Sequence, residues 1–166
     1  SIVIEARGTG TTNDKSILQV LNGTNNIGAS GSLTSSANII LRTDEYTNSA
    51  GVVILSTSGT VTVEPFNDSF SGWFNFLSFF DPSSAVTELT IGKPGRVSGS
   101  AVVSQSAHAI SISRAVSING PIGVYGSVVS INENITTTAV GAAITLRASS
   151  FIHVASAKQI RTAGGN

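Results

Sequence analysis

Apolar residues in this chain alternate with polar ones in bursts of three to five residues, and no burst lengthens into a helical pattern. Ile2 and Ile4 share one face of "SIVIEA", Ile39 and Leu41 one face of "NIILR", Val53 and Leu55 one face of "VVIL", and Val61 and Val63 one face of "TVTVE". The pattern returns as Ile110/Ile112, Val116/Ile118, Ile122/Val124, Val129/Ile131 and Ile144/Leu146. A period of two sends successive side chains to opposite faces of an extended chain, so each burst reads as a short β-strand with one buried face. Gly, Asn, Ser, Asp and Pro, the turn-forming residues, fill the intervals. The fold class expected is all-β, with no helix.

Spacing narrows the choice among all-β folds. Ile110 and Val129, Ile112 and Ile131, and Val116 and Ile135 are separated by one and the same interval, and the step from Ile131 to Ile152 is only slightly longer. Recurrence at about 19–21 residues predicts a right-handed parallel β-solenoid of short strands, each rung stacked ~4.8 Å from the last. The phrase "SINGPIGVYGSVVSINENI" then reads as rung material. Ile118, Ile122, Val124, Val129 and Ile131 form core columns, and Gly120-Pro121 and Gly126 form corners. Asn119 and Asn132 end strands, turning the chain and hydrogen-bonding locally. The N-terminal half is less regular. Leu18 to Ile39 matches the longer interval, shorter steps follow, and a β-sandwich also fits that part.

The whole chain, residues 1–166, reads as a single unit. It does not begin with Met, which points to a processed product or an excised piece. "SIVIEA" at one end and "QIRTAGGN" at the other look like interior rungs, where a solenoid end needs a polar cap. One copy of a tandem array is therefore expected, with neighbouring copies of the same repeat as end-to-end partners. An exposed strand edge would otherwise invite aggregation.

Charged residues are 11% of the chain, against roughly 25% in ordinary globular domains. The net charge is zero and the basic residues are scattered, which argues against nucleic acid as a partner. No apolar run approaches the ~18 residues of a membrane span, so no membrane insertion is expected. There is no Cys, so stability must come from the core and the backbone ladder rather than from disulfides. Abundant Ser, Thr and Gly suit an extracellular β-protein or a fibrous repeat.

Residues 65–81, "PFNDSFSGWFNFLSFFD", break the pattern. They hold six of the seven Phe residues and the one Trp. Two roles fit an aromatic insert of this kind. It can pack on or against the solenoid and cover an apolar side. Alternatively Phe70, Trp73, Phe74, Phe76, Phe79 and Phe80 can form a platform for sugar rings or another surface.

"ELTIGKPG" (88–95), "ISISRAVSINGPIGVYG" (110–126) and "VSINENITTTAVGAAITLRASSFI" (129–152) resemble tandem repeats in giant secreted surface adhesins of the Bacteroidetes. That group includes the gliding-motility adhesins exported by the type IX system. The wider similarity is to filamentous haemagglutinin-like β-helical adhesins. "SIVIEARGTGTT" and "ANIILRTDEY" fit the same repeat type. The resemblance implies an elongated stalk or filament on the bacterial cell surface, and it carries over no catalytic residue. Asp68-Ser69-Phe70 is similar to the short O-glycosylation motif of the same bacteria, with Ser69 as the acceptor.

Sites for chemistry are few. His108 and His153 lie far apart with no Cys or carboxylate cluster beside them, so no metal is expected; His153 should point outward from a strand whose inward residues are Ile152 and Val154. Asp44-Glu45, with Thr47 and Asn48, has the oxygen atoms for a calcium loop but reads better as a solvated turn. Glu5, Asp14, Glu64, Asp68, Asp81, Glu88 and Glu133 are isolated in the sequence, whereas a glycosidase needs paired carboxylates. Arg114 and Glu133 are separated by the interval that relates Ile110 to Val129, so they are expected to pair across rungs. "GKPGRVSG" (92–99) reads as a turn rather than a phosphate cradle, because no strand–loop–helix context surrounds it. The chain is read as a non-enzymatic structural repeat without cofactors; the alternative is a carbohydrate- or surface-binding module.

Overall fold

The computed structural model describes residues 1–7, 17–20, 24–28, 35–48, 52–67, 70, 74–76, 80–94, 97–98, 101–102 and 109–164. All eighteen elements among them are β-strands, as the alternation predicts. In chain order they are β1 (Ile2–Glu5), β2 (Ile17–Val20), β3 (Thr24–Gly28), β4 (Ile39–Arg42), β5 (Glu45–Asn48) and β6 (Val52–Ser56). Next come β7 (Thr60–Glu64), β8 (Phe74–Asn75), β9 (Phe80–Pro82), β10 (Glu88–Ile91), β11 (Val97–Ser98) and β12 (Ala101–Val102). The last six are β13 (Ile110–Ile112), β14 (Val116–Ile118), β15 (Ile122–Ile131), β16 (Ile135–Thr137), β17 (Ile144–Val154) and β18 (Ile160–Thr162).

Every pairing among these strands is parallel except one, the β11–β12 hairpin that joins Val97 to Val102. The longest ladder runs β1–β4–β7–β10 and on through the first halves of β15 and β17. The second halves of β15 and β17 continue a different ladder, β8–β13–β15–β17. Both long strands thus serve two ladders, and the β15–β17 register shifts between Gly126 and Val128, where they pass from one to the other. Three shorter ladders complete the pattern: β2–β5, β3–β6–β9 and β14–β16–β18. None of these sheets closes into a barrel. Parallel pairing through β1–β4, β2–β5 and β3–β6 also removes the sandwich alternative for the N-terminal half, because sandwich sheets are antiparallel.

The register explains the alternation. In the longest ladder Ile2, Ile39, Val61, Leu89, Ile122 and Ile144 lie in one row, and Ile4, Leu41, Val63, Ile91, Val124 and Leu146 in the next inward row. From Ile39 to Val124 every member is at most 2% exposed, while the outermost residues of each row are only half-buried. Burying each such side chain is worth about 1.5–3 kcal/mol, so the two rows are a principal source of stability. Parallel strands in register bring like side chain over like, which is why Ile, Leu and Val suffice to fill the space.

The expected spacing holds at one step only. Ile110 pairs with Val129, Ile112 with Ile131 and Val116 with Ile135, at the interval read from the sequence. Elsewhere the interval is longer: Ile39 faces Val61, Val61 faces Leu89, and Leu89 faces Ile122. Ile152 lies over Val129 and Val154 over Ile131, so the Ile131–Ile152 match falls short of the true partner. Leu18 pairs with Tyr46 rather than leading to Ile39, whose partner on that side is Ile2. The strands keep their register because hydrogen bonds and aliphatic rows fix it. The loops between them vary because nothing holds their length.

Corners are tied by short polar bonds between successive passes. The buried Thr57 hydroxyl donates to the Ala37 carbonyl (2.6 Å), with the Ser35 carbonyl also within reach at 3.1 Å, and accepts from the Gly59 N–H (2.9 Å). Asn38 Oδ1 accepts from the Thr60 N–H, and Asn134 Oδ1 from the Gln159 N–H. Asn132 departs from expectation: its Nδ2 donates to Ser111 Oγ at 2.9 Å, so it bonds across the ladder to an earlier pass rather than locally. Gly120 is a true corner, buried so tightly that a Cβ there would lie 1.8 Å from the Thr87 carbonyl oxygen.

Candidate functional site

Of residues 65–81, the described Phe74, Asn75, Phe80 and Asp81 lie within the sheets. They supply β8, which pairs with β13, and most of β9, which pairs with β6. Phe70, Phe74, Phe76 and Phe80 are at most 3% exposed and belong to the main core. Tyr46, on β5, joins them, with its ring 4.8 Å from Phe74 and 5.1 Å from Phe80 in an edge-on contact. Phe70 stacks on Phe74 at 4.3 Å, and Phe76 lies 5.7 Å from Phe80. The cluster sits where the β2–β5 and β3–β6–β9 ladders end. There, ring faces and edges fill space that elsewhere is filled by aliphatic rows. These four Phe rings face the interior and offer no surface to a sugar. Trp73, Phe79 and Ser69 lie outside the described residues, as do His108, Asp14, Asp68 and Arg96.

Tyr46 carries the one polar atom of the cluster. Its hydroxyl donates to the Leu41 carbonyl at 3.2 Å, closing the corner between β4 and β5. Burial pushes its ionisation well above the ordinary tyrosine value, and the nearby charges of Glu64 and Asp44 push it the same way. The neighbouring Asp44 carboxylate accepts from the Asn67 backbone N–H at 2.8 Å and from Asn67 Nδ2 at 2.6 Å. With Asp44 only 5% exposed, this is a buried clamp between passes, not the solvated turn that the sequence suggests. Glu45 opens β5. Lys93 of the "GKPGRVSG" loop donates its ammonium to the carbonyls of Phe66 (3.1 Å) and Asn67, so it braces the same clamp.

On the outward side of the longest ladder a row of charge runs beside the apolar rows. Arg42 lies between two carboxylates, with Nε 2.5 Å from Glu64 and Nη1 3.5 Å from Glu5. Arg7 holds the outer side of Glu5 at 2.5 Å. The Arg7 bond, aided by Arg42, holds the Glu5 carboxyl below its usual range, and the Glu64 bond holds Arg42 above its own. Sequence reasoning treats Glu5 and Glu64 as isolated because it seeks acids close together along the chain. The available signal is the interval: Arg42 precedes Glu64 by the same step that separates Ile39 from Val61.

The remaining ion pairs also cross between passes. Arg114 bonds Asp81 at 3.2 Å and Glu133 bonds Lys158 at 2.9 Å, so the expected Arg114–Glu133 pair does not form. The loops between strands differ in length, and this shifts which residues become neighbours. His153 is exposed as expected, but Ile152 and Val154 are also 44% and 41% exposed, because β17 is an outermost strand. Among the described residues no group of three His, Cys, Asp or Glu side chains is placed to hold a metal, and no helix is long and apolar enough to cross a membrane. The described side chains form networks that join one pass of the chain to the next. The chain has no significant match to any protein-family model, curated protein or solved structure.

Proposed function

We propose that the chain is a right-handed parallel β-solenoid and that it serves as a stiff structural module of a long adhesin or filament on the outer surface of a bacterium. The observation that carries this reading is the pair of aliphatic rows that run, in parallel register, through all six strands of the longest ladder. In such an arrangement load along the axis is shared by backbone hydrogen bonds between every pair of passes and by continuous side-chain packing. Polar ties at the corners, such as Thr57 and Asn132, add to the same axial connection. Low charge and the absence of Cys fit a part whose work is mechanical. The resemblance of the repeat phrases to surface adhesins supplies the extracellular setting and the role in attachment or gliding.

Electron microscopy and fibre diffraction of the native assembly test this. Slender fibres with a meridional reflection near ~4.8 Å are expected. Compact particles with no axial repeat would sink the proposal.

A further inference from the structure

The outermost strands of the longest ladder carry complementary charge. An outward row runs Glu5–Arg42–Glu64 across β1, β4 and β7, and at the other end of the ladder Tyr125 of β15 pairs with Arg147 of β17. The ladder thus carries a carboxylate on its first strand and a guanidinium on its last. Arg147 is exposed and makes no ion pair among the described residues. Both inward rows end half-covered, at Ile2 and Ile4 on β1 and at Ile144 and Leu146 on β17. Further exposed apolar residues lie between Val140 and Ile160: Val140, Phe151, Ile152, Val154 and Ile160.

We propose that β17 of one copy of this sequence receives β1 of a second copy in parallel, with Ile144 against Ile2, Thr145 against Val3, Leu146 against Ile4, and Arg147 against Glu5. This register extends both aliphatic rows without interruption, and it repeats across the junction the Glu–Arg alternation found inside the molecule at Glu5–Arg42–Glu64. Shifting by one residue would bring Val3, which is 54% exposed, into an inward row and remove the ion pair. Arg7, itself 77% exposed, holds the outer side of Glu5 in the single copy, so at the junction Arg147 shares or takes the Arg7 position while Arg42 stays on the inner side. The contact names the partner implied by the stalk reading and rests on it. Six strand spacings of ~4.8 Å then make the axial repeat of stacked copies about 29 Å.

Cysteine trapping tests the contact directly, since the chain has no Cys of its own. Under oxidising conditions a mixture of the Val3→Cys and Thr145→Cys proteins is expected to form an intermolecular disulfide in large excess over a Val3→Cys and Arg161→Cys mixture, because Arg161 lies on another ladder. Sedimentation then reads the charge pair. Arg147→Glu and Glu5→Arg are each expected to weaken self-association about tenfold, and mixing the two proteins should restore it, because every junction in the mixture can again oppose unlike charges. Equal trapping in the two cysteine mixtures overturns the proposal, whatever the swapped proteins do. That result would leave the stalk reading to stand or fall on the microscopy.

Discussion

Tyr46 shows how one residue can join core, corner and charge. Its ring is packed among Phe70, Phe74 and Phe80, and its hydroxyl satisfies the Leu41 carbonyl. Removing the hydroxyl in Tyr46→Phe should cost about 1 kcal/mol at neutral pH, measured by urea unfolding. The sign reverses in alkali. The folded state holds the Tyr46 proton above the pH at which an unfolded tyrosine, near 10.0, releases it. Stability is therefore complete below that pH and falls as pH rises above it, by about 1.4 kcal/mol per pH unit for this one group. The Tyr46→Phe protein should lack this part of the alkaline decline. Gly120 gives a second residue-scale prediction. Gly120→Ala forces a Cβ against the Thr87 backbone and should cost about 1–3 kcal/mol through overpacking. Gly141→Ala meets nothing within 4 Å, but Gly141 has a φ of +75°, so it should cost about 1–2 kcal/mol through backbone conformation alone. Calorimetric melting of the two variants separates contact from conformation: shortening the Thr87 loop should rescue only the first.

At the scale of the element, strands are set by their rows and corners by single polar side chains. The Ser35 carbonyl is also held by the Ser58 N–H at 2.7 Å, but the Ala37 carbonyl and the Gly59 N–H are satisfied by Thr57 from a nearly sealed position. Thr57→Val keeps the shape and leaves those last two groups unpaired, so a loss of about 1–3 kcal/mol is expected, with amide exchange faster at Gly59 and Thr60 first. Arg42 tests the charged row. It is more than a third exposed, so Arg42→Ala should cost no more than about 1 kcal/mol. Arg42→Glu instead places three carboxylates in sequence along the row. It should destabilise at neutral pH and recover as the pH falls through the carboxylate range, because protonation then relieves the repulsion. The native protein behaves oppositely. Glu5 ionises below its ordinary value of 4.5, so its contribution is present above that pH and is lost as the pH falls through the lower folded value. Thermal melts of both proteins from pH 7 to pH 3 should therefore converge.

For the whole molecule, alternation and turn chemistry made the fold class legible. Period-two bursts, none long enough for a helix, leave only strands, and the match between Ile110–Ile112 and Val129–Ile131 identified a true parallel neighbour from the letters alone. Most of the other neighbours were not legible that way. Val61 to Leu89 and Leu89 to Ile122 span loops of unequal length, and the latter encloses the β11–β12 hairpin. Loop closure costs little more for a long loop than for a short one, so the interval between partners is free to drift while the register is not. The aromatic run was conspicuous in sequence, yet its composition fitted a cover over an apolar side and a binding platform alike, and gave no sign that Phe70, Phe74, Phe76 and Phe80 fill the interior. The burial of Phe74 and Phe80 depends on β8 and β9 joining ladders with β13 and β6, which are distant in the chain. The same holds for charge: Glu5, Arg42 and Glu64 meet only because three strands lie in register. The sequence by itself determined local conformation, since alternation and turn residues act over a few neighbouring positions. Tertiary structure alone decided which strands became neighbours, and with that which rings were buried and which charges paired, because hydrogen bonding and row packing select partners without regard to their separation along the chain.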